Sequence, residues 1–135
     1  MTADRSEMHI VNRTFDELQP GNHAEIRRLL TADDVYSFAA VSGNFNPLHL
    51  TREDEDRDGR PDGVAPGMLV ASLISAVLGT LLPGPGTLYK AQTLDFHERV
   101  HAGDELCCRV TVLDKQQAVL VVGVAGRRPG GATPA

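Results

Sequence analysis

His49 closes the run Ser42-Gly43-Asn44-Phe45-Asn46-Pro47-Leu48-His49, which sets polar, turn-forming and titratable residues between two apolar stretches. Histidine is the side chain whose titration lies nearest neutral pH, so the chemistry this run suggests is proton transfer. Asn46-Pro47 forces an extended or turning backbone, because proline fixes its own φ and disfavours the helical region for the residue before it. The spacing therefore predicts a functional loop that delivers His49 just past a rigid turn. Standing alone, such a histidine would read equally well as a surface or helix-capping residue.

Other patterns with chemical potential carry less. His97-Glu98-Arg99-Val100-His101 spells H-E-x-x-H, in which two histidines one helical turn apart bind zinc and the glutamate serves as base. Its flanks read as strand, where residues four apart lie ~13 Å from each other, too far to share a metal at ~2.0 Å bonds. Polar strand-end residues are the better reading. Asp54-Glu55-Asp56-Arg57-Asp58-Gly59 resembles the first half of a calcium loop, but Pro61 takes the eighth place and Ala65 the twelfth, where a bidentate carboxylate is needed. A solvated acidic loop is expected, and no metal site. The glycines of 79–86 are spaced by prolines and open no new helix, so they form no nucleotide-binding loop. Cys107 and Cys108 are adjacent, point to opposite faces of a strand and cannot form an ordinary disulfide together, which suggests reduced thiols.

The elements that must position His49 follow from periodicity. Thr31 can cap a helix from Ala32 to about Val41, with Asp34 at its third position and Val35, Phe38 and Ala39 on one face. Residues 67–81 form a second helix that is apolar nearly all round, as befits an element wrapped by a sheet; Pro66 suits its first position and Pro83-Gly84 ends it. Beyond it the period changes. Thr87 to Val100, Asp104 to Asp114 and Gln116 to Ala125 are rich in β-branched and apolar residues, with turns at Ala102-Gly103 and Asp114-Lys115, and read as an antiparallel meander. Residues 1–12 are expected to be a flexible leader, 13–125 a single domain and 126–135 a disordered Arg, Pro and Gly tail. Strand, helices, then strands is an α+β arrangement.

Composition agrees with one small folded domain. The chain has 135 residues, 41% hydrophobic and 23% charged, which excludes a disordered protein. Thirteen basic against eighteen acidic residues leave a net charge of −5, which opposes a general nucleic-acid binder. The longest apolar segment, Val64 to Leu82, is broken by Pro66, Gly67, Ser72, Ser75, Gly79 and Thr80, whereas a membrane span wants ~20 uniformly apolar residues. With no charged start and apolar run of a signal peptide, a cytoplasmic location is the default expectation.

The run from Ser42 to His49 resembles the SGDxNPxH signature of the MaoC-like, (R)-specific enoyl-CoA hydratases and dehydratases of the hot dog fold, with Asn44 in the place of the aspartate. Arg13-Thr14-Phe15-Asp16-Glu17-Leu18 and the stretch from Leu30-Thr31 through Phe38-Ala39 are similar to that family's first strand and first helix. Gly67-Met68-Leu69-Val70-Ala71-Ser72-Leu73, then Leu82-Pro83-Gly84-Pro85-Gly86, resemble its central helix and exit turn. Phe96, Val100 and Gly103-Asp104 resemble its next strand pair. The resemblance implies an antiparallel sheet curled around one long helix, acyl-CoA or acyl carrier protein substrates, a homodimer and no cofactor.

It also implies roles. Hydration of an α,β-unsaturated thioester needs a base for water, a proton for the α-carbon and stabilisation of the enolate-like oxygen. His49 matches the family's catalytic histidine, Asn44 the aspartate that shares its water, and Gly67 the glycine whose N–H binds the thioester carbonyl. Ser75 matches a serine lining the pocket, and Phe45 and Asn46 in the same loop are the further expected substrate contacts. Gly67 and Ser75 also have plainer readings, as close-packing and helix-packing residues. Asn44 cannot accept a proton, and Pro66 stands where the family usually has histidine. Two alternatives follow: a double-bond isomerase or cyclase on the same substrates, and a non-catalytic subunit completing the pocket of an Asp-containing paralogue in a heterodimer.

Overall fold

The computed structural model describes residues 10–57, 59, 62–115 and 121–127. Three antiparallel strands, β1 (His23–Leu29), β2 (Glu105–Thr111) and β3 (Val121–Arg127), lie in the order β1-β2-β3. Ile26 stands opposite Cys108 and Val124 opposite Cys108 on the other side, so β2 is the central strand. Its alternation turns Leu106, Cys108 and Val110 inward and leaves Glu105 and Arg109 in solvent.

Three helices fall between β1 and β2: α1 (Ala32–Ser42), α2 (Pro47–Leu50) and α3 (Gly67–Thr80). The inward face of α3, with Leu73, Ile74, Val77 and Leu78, packs with Leu106, Cys108 and Val110 into one core. Removing that apolar area from water is the main stabilising term. The resulting α+β layout is the one the sequence predicts. In this single chain, however, α3 is covered on one side only: Met68, Ser72, Ser75 and Gly79 form an exposed stripe at helical spacing.

α1 begins as expected. Thr31 Oγ1 accepts from the Asp34 N–H at 3.1 Å and Asp34 Oδ2 accepts from the Thr31 N–H at 2.9 Å, a complete capping box. Asp34 also takes the Arg28 guanidinium at 2.8 Å, tying β1 to the helix start.

Several expectations need correction. The first strand lies at His23–Leu29, and Phe15–Glu17 within the predicted strand 13–18 is a 3-10 turn. Pro66 is the N-cap of α3, and Gly67 takes the first helical position. Residues 87–100 form no strand. Among the described residues no backbone N–H of 88–99 donates to another backbone group, and Leu88 is 86% exposed. A strand exists only with a partner, and the described residues offer this segment none. The turn at Ala102-Gly103 is present, with Gly103 at φ 94. β3 includes Gly126 and Arg127, which were assigned to the tail. The remainder of that tail, most of the leader, and residues 116–120 of the last predicted strand lie outside the described residues.

Candidate functional site

The loop carrying His49 is built from local hydrogen bonds, each closing within two residues. α1 ends at Ser42 with Gly43 left-handed at φ 79, a conformation that favours glycine. Ser42 Oγ accepts from the Asn44 N–H (3.1 Å), Asn44 Oδ1 from the Asn46 N–H (3.2 Å) and Asn46 Oδ1 from the Leu48 N–H (3.0 Å). Side chains of this type make such turns routinely. Asn46 is therefore the N-cap of α2, and Pro47 occupies its first turn.

This ladder fixes the orientation of Asn44. A backbone N–H can donate only to oxygen, so Oδ1 faces Asn46 and the Nδ2 amide remains as a donor. Asn46 likewise commits its oxygen to capping. Phe45 is 63% exposed between them.

α2 is held from two sides. Tyr36 on α1 donates its hydroxyl to the Leu50 carbonyl at 3.1 Å, and the Val64 N–H donates to the Leu48 carbonyl at 3.0 Å. His49 itself is half-buried, with Nδ1 hydrogen-bonded to the Val64 carbonyl. That carbonyl can only accept, so a neutral ring making this bond carries its proton on Nδ1 and leaves Nε2 as an acceptor. Gly63 is required beside it, because an added Cβ would lie 2.8 Å from the His49 carbonyl oxygen.

Gly67 follows Val64 by three residues, so the extended chain places it within ~11 Å of the carbonyl that holds His49. Pro66 supplies no side-chain cap, and the N–H groups of Gly67 and Met68 have no hydrogen-bond partner among the described residues. The positive end of the α3 dipole adds to them, which gives a site suited to a developing oxyanion. Phe96 lies against Gly67: a Cβ there would meet its ring at 3.1 Å. Ser75 sits eight residues further along α3, ~12 Å up the axis at ~1.5 Å per residue. It belongs to the exposed stripe and has no hydrogen bond to the His49 loop among the described residues.

The structure thus joins His49, Asn44 and Asn46 in one hydrogen-bonded loop and links it through 63–66 to Gly67, while Phe45 is exposed on that loop and Ser75 on the open side of α3. Val64 and Tyr36, the residues that hold α2, went unnoticed in the sequence because an ordinary valine carbonyl and a helix tyrosine give no local signal.

Residues 97–101 are not helical, and His97 is exposed while His101 pairs with Val64 in an antiparallel bridge. Asp54, Asp56 and Asp62 bring carboxylate oxygens within 4.8 Å of one another, an arrangement common on surfaces without an ion. Two of these carboxylates also accept backbone N–H groups, Asp54 from Gly59 at 2.9 Å and Asp62 from Glu55 at 2.8 Å. Neither thiol is an activated nucleophile: burial pushes Cys108 up to about 12, and burial with the neighbouring Glu25 carboxylate raises Cys107. No helix among the described residues is long and apolar enough to cross a membrane.

Residues 16–127 match the MaoC like domain. The chain is 38% identical over 112 residues to an (R)-specific enoyl-CoA hydratase of Rhodospirillum rubrum, covering 83% of this chain and 75% of that protein. It is 34% identical over 100 residues to a mitochondrial 3-hydroxyacyl-[acyl-carrier-protein] dehydratase of Solanum lycopersicum, 74% of this chain and 59% of the plant protein. Among solved structures, the unliganded R-hydratase of Pseudomonas aeruginosa superposes with a TM-score of 0.75 at 35% identity, over 90% of this chain and 79% of that one.

Proposed function

The chain belongs to the MaoC like domain family, and on that premise we propose that it is a lyase interconverting enoyl and 3-hydroxyacyl thioesters carried on CoA or acyl carrier protein. The observation that carries the reading is the hydrogen bond between His49 Nδ1 and the Val64 carbonyl, which leaves Nε2 available as a proton acceptor beside the Asn44–Asn46 turn.

In the hydration direction Nε2 of His49 takes a proton from water as the water oxygen bonds to the β-carbon of the enoyl thioester. The C=C pair moves toward the thioester carbonyl, and the negative charge on its oxygen is met by the Gly67 N–H at the α3 terminus. The imidazolium then returns the proton to the α-carbon, so one histidine serves as base and acid in turn. Asn44 offers its Nδ2 amide to the same water. It orients that water without taking its proton, so all proton traffic falls to His49. Dehydration is the reverse. Ser75, Phe45 and Asn46 are assigned to the acyl and pantetheine contacts.

The same reading makes the enzyme a cytoplasmic homodimer. What supports the dimer is the segment 88–99, whose backbone has no backbone partner among the described residues and which exposes Leu88, Tyr89 and Phe96. Pairing with its copy would satisfy those groups. A second reading rests on Asn44 alone: with no carboxylate in the loop, the chain serves as the non-catalytic half of a heterodimer with an Asp-containing paralogue.

Loss of enoyl absorbance from crotonyl-CoA is the direct test. The chain as it stands turns over, and His49→Ala reduces turnover by ~10²- to 10⁴-fold. A variant lacking the imidazole that is as active as its parent would end this assignment. No hydration by the parent, with activity gained on adding the paralogue, would favour the heterodimer.

A further inference from the structure

The chain from Gly63 to Ala65 runs as a short strut between α2 on one side and residues 100–101 on the other. The Val64 N–H donates to Leu48 on the first side, and the Ala65 N–H donates to the Val100 carbonyl at 2.7 Å on the second. Two consecutive carbonyls of the strut each hold a histidine. Val64 binds Nδ1 of His49, and Gly63 binds Nδ1 of His101 at 3.2 Å.

These contacts form one continuous path. His101 donates to the carbonyl of the Gly63–Val64 peptide, and the N–H of that same peptide donates to Leu48, the residue before His49. Hydrogen bonds in series through a peptide polarise and strengthen one another. The next carbonyl along then fixes the tautomer of His49. The strut lies close against α2, since a Cβ added at Gly63 would meet the His49 carbonyl oxygen at 2.8 Å. Its position is set from both sides, by the Val64 N–H to Leu48 and, on the far side, by the pairing of Val64 with His101.

We propose that His101 is a positioning residue for His49: by donating Nδ1–H to the Gly63 carbonyl it sets the strut, and through the strut the orientation and tautomer of the imidazole. The catalytic part of this inference rests on the hydratase reading; the effect on the His49 ring does not. His101 touches no reacting atom in this scheme.

The experiment compares donor-free variants, His101→Val and His101→Leu, with His101→Asn, whose amide nitrogen takes the place of Nδ1. Valine suits an antiparallel bridge, and two donor-free variants leave one to decide if the other folds poorly. Long-range proton–nitrogen correlation of the His49 ring is expected to report a single Nδ1–H tautomer in the parent, a mixture in the donor-free variants and the parental state in His101→Asn. With crotonyl-CoA, kcat falls on the order of 10-fold in the donor-free variants with KM nearly unchanged, less than the ~10²-fold that a 1 Å misplacement can cost. Asparagine restores it. A parental His49 spectrum in both donor-free variants, or failure of asparagine to restore spectrum and kcat, overturns the proposal. Absence of hydration in every protein, parent included, refutes the hydratase reading instead and leaves the ring spectrum to decide on His101.

Discussion

Replacing Asn44 by aspartate tests the chemistry with little disturbance of the fold. The loop asks only that one oxygen of residue 44 accept the Asn46 N–H at 3.2 Å, and aspartate supplies that oxygen in the same place. The second atom changes from an amide nitrogen to a carboxylate oxygen at almost equal volume. Because the residue is exposed, the folding free energy should move by no more than ~0.5 kcal/mol. The proton inventory changes much more: a second acceptor now faces the water that His49 otherwise deprotonates alone. A positioned acid or base contributes ~10²- to 10⁴-fold, so crotonyl-CoA hydration should rise on the order of 10²-fold, equivalent to ~2.7 kcal/mol in the barrier. Steady-state rates across a substrate series, with a binding measurement on the same sample, would check it. An Asn44→Asp protein that folds, binds acyl thioester and hydrates no faster would refute the argument that the loop retains hydratase geometry. An isomerase or cyclase adapted to the amide would instead lose its own reaction.

Two further outcomes follow from the packing. Gly63→Ala should cost about 1–3 kcal/mol in urea denaturation and reduce turnover together with stability, since its Cβ meets backbone oxygens of His49 at 2.8 Å and Thr51 at 3.3 Å that cannot give way; an unperturbed midpoint would mean the strut is looser than it looks. Light scattering at micromolar concentration should give twice the chain mass, and a persistent monomer would remove the dimer from the functional reading.

What was legible in the sequence was what local chemistry decides. The capping box at Thr31 and Asp34 marks α1 because both hydrogen bonds close within three residues. β2 stands out because Leu106, Cys108, Val110 and Val112 alternate without interruption. β1 was missed because its alternation of Ala24 and Ile26 ends on a charged residue: Arg28 is half-buried on the inner face, and its partner Asp34 lies six residues away on another element. Residues 87–100 were read as a strand from composition, and composition was no guide to whether a partner backbone would be within reach. In the site, the turn-forming residues announced the loop, whereas the Val64 carbonyl that selects the His49 tautomer is fifteen residues distant and has no side-chain signature.

The contact of Phe96 with Gly67 has a thermodynamic consequence. Phe96 belongs to a segment, 88–99, without backbone partners among the described residues, and its ring rests on Gly67, whose N–H is the proposed donor to the thioester oxygen. In the proposed hydratase, anything that straightens 88–99 therefore also moves the ring that covers Gly67. In the dimeric reading, association and substrate affinity are linked functions, and linkage is reciprocal: acyl thioester should tighten self-association by the same factor by which self-association tightens acyl thioester. Specific activity would then depend on enzyme concentration, with dilution lowering affinity before it unfolds the protein.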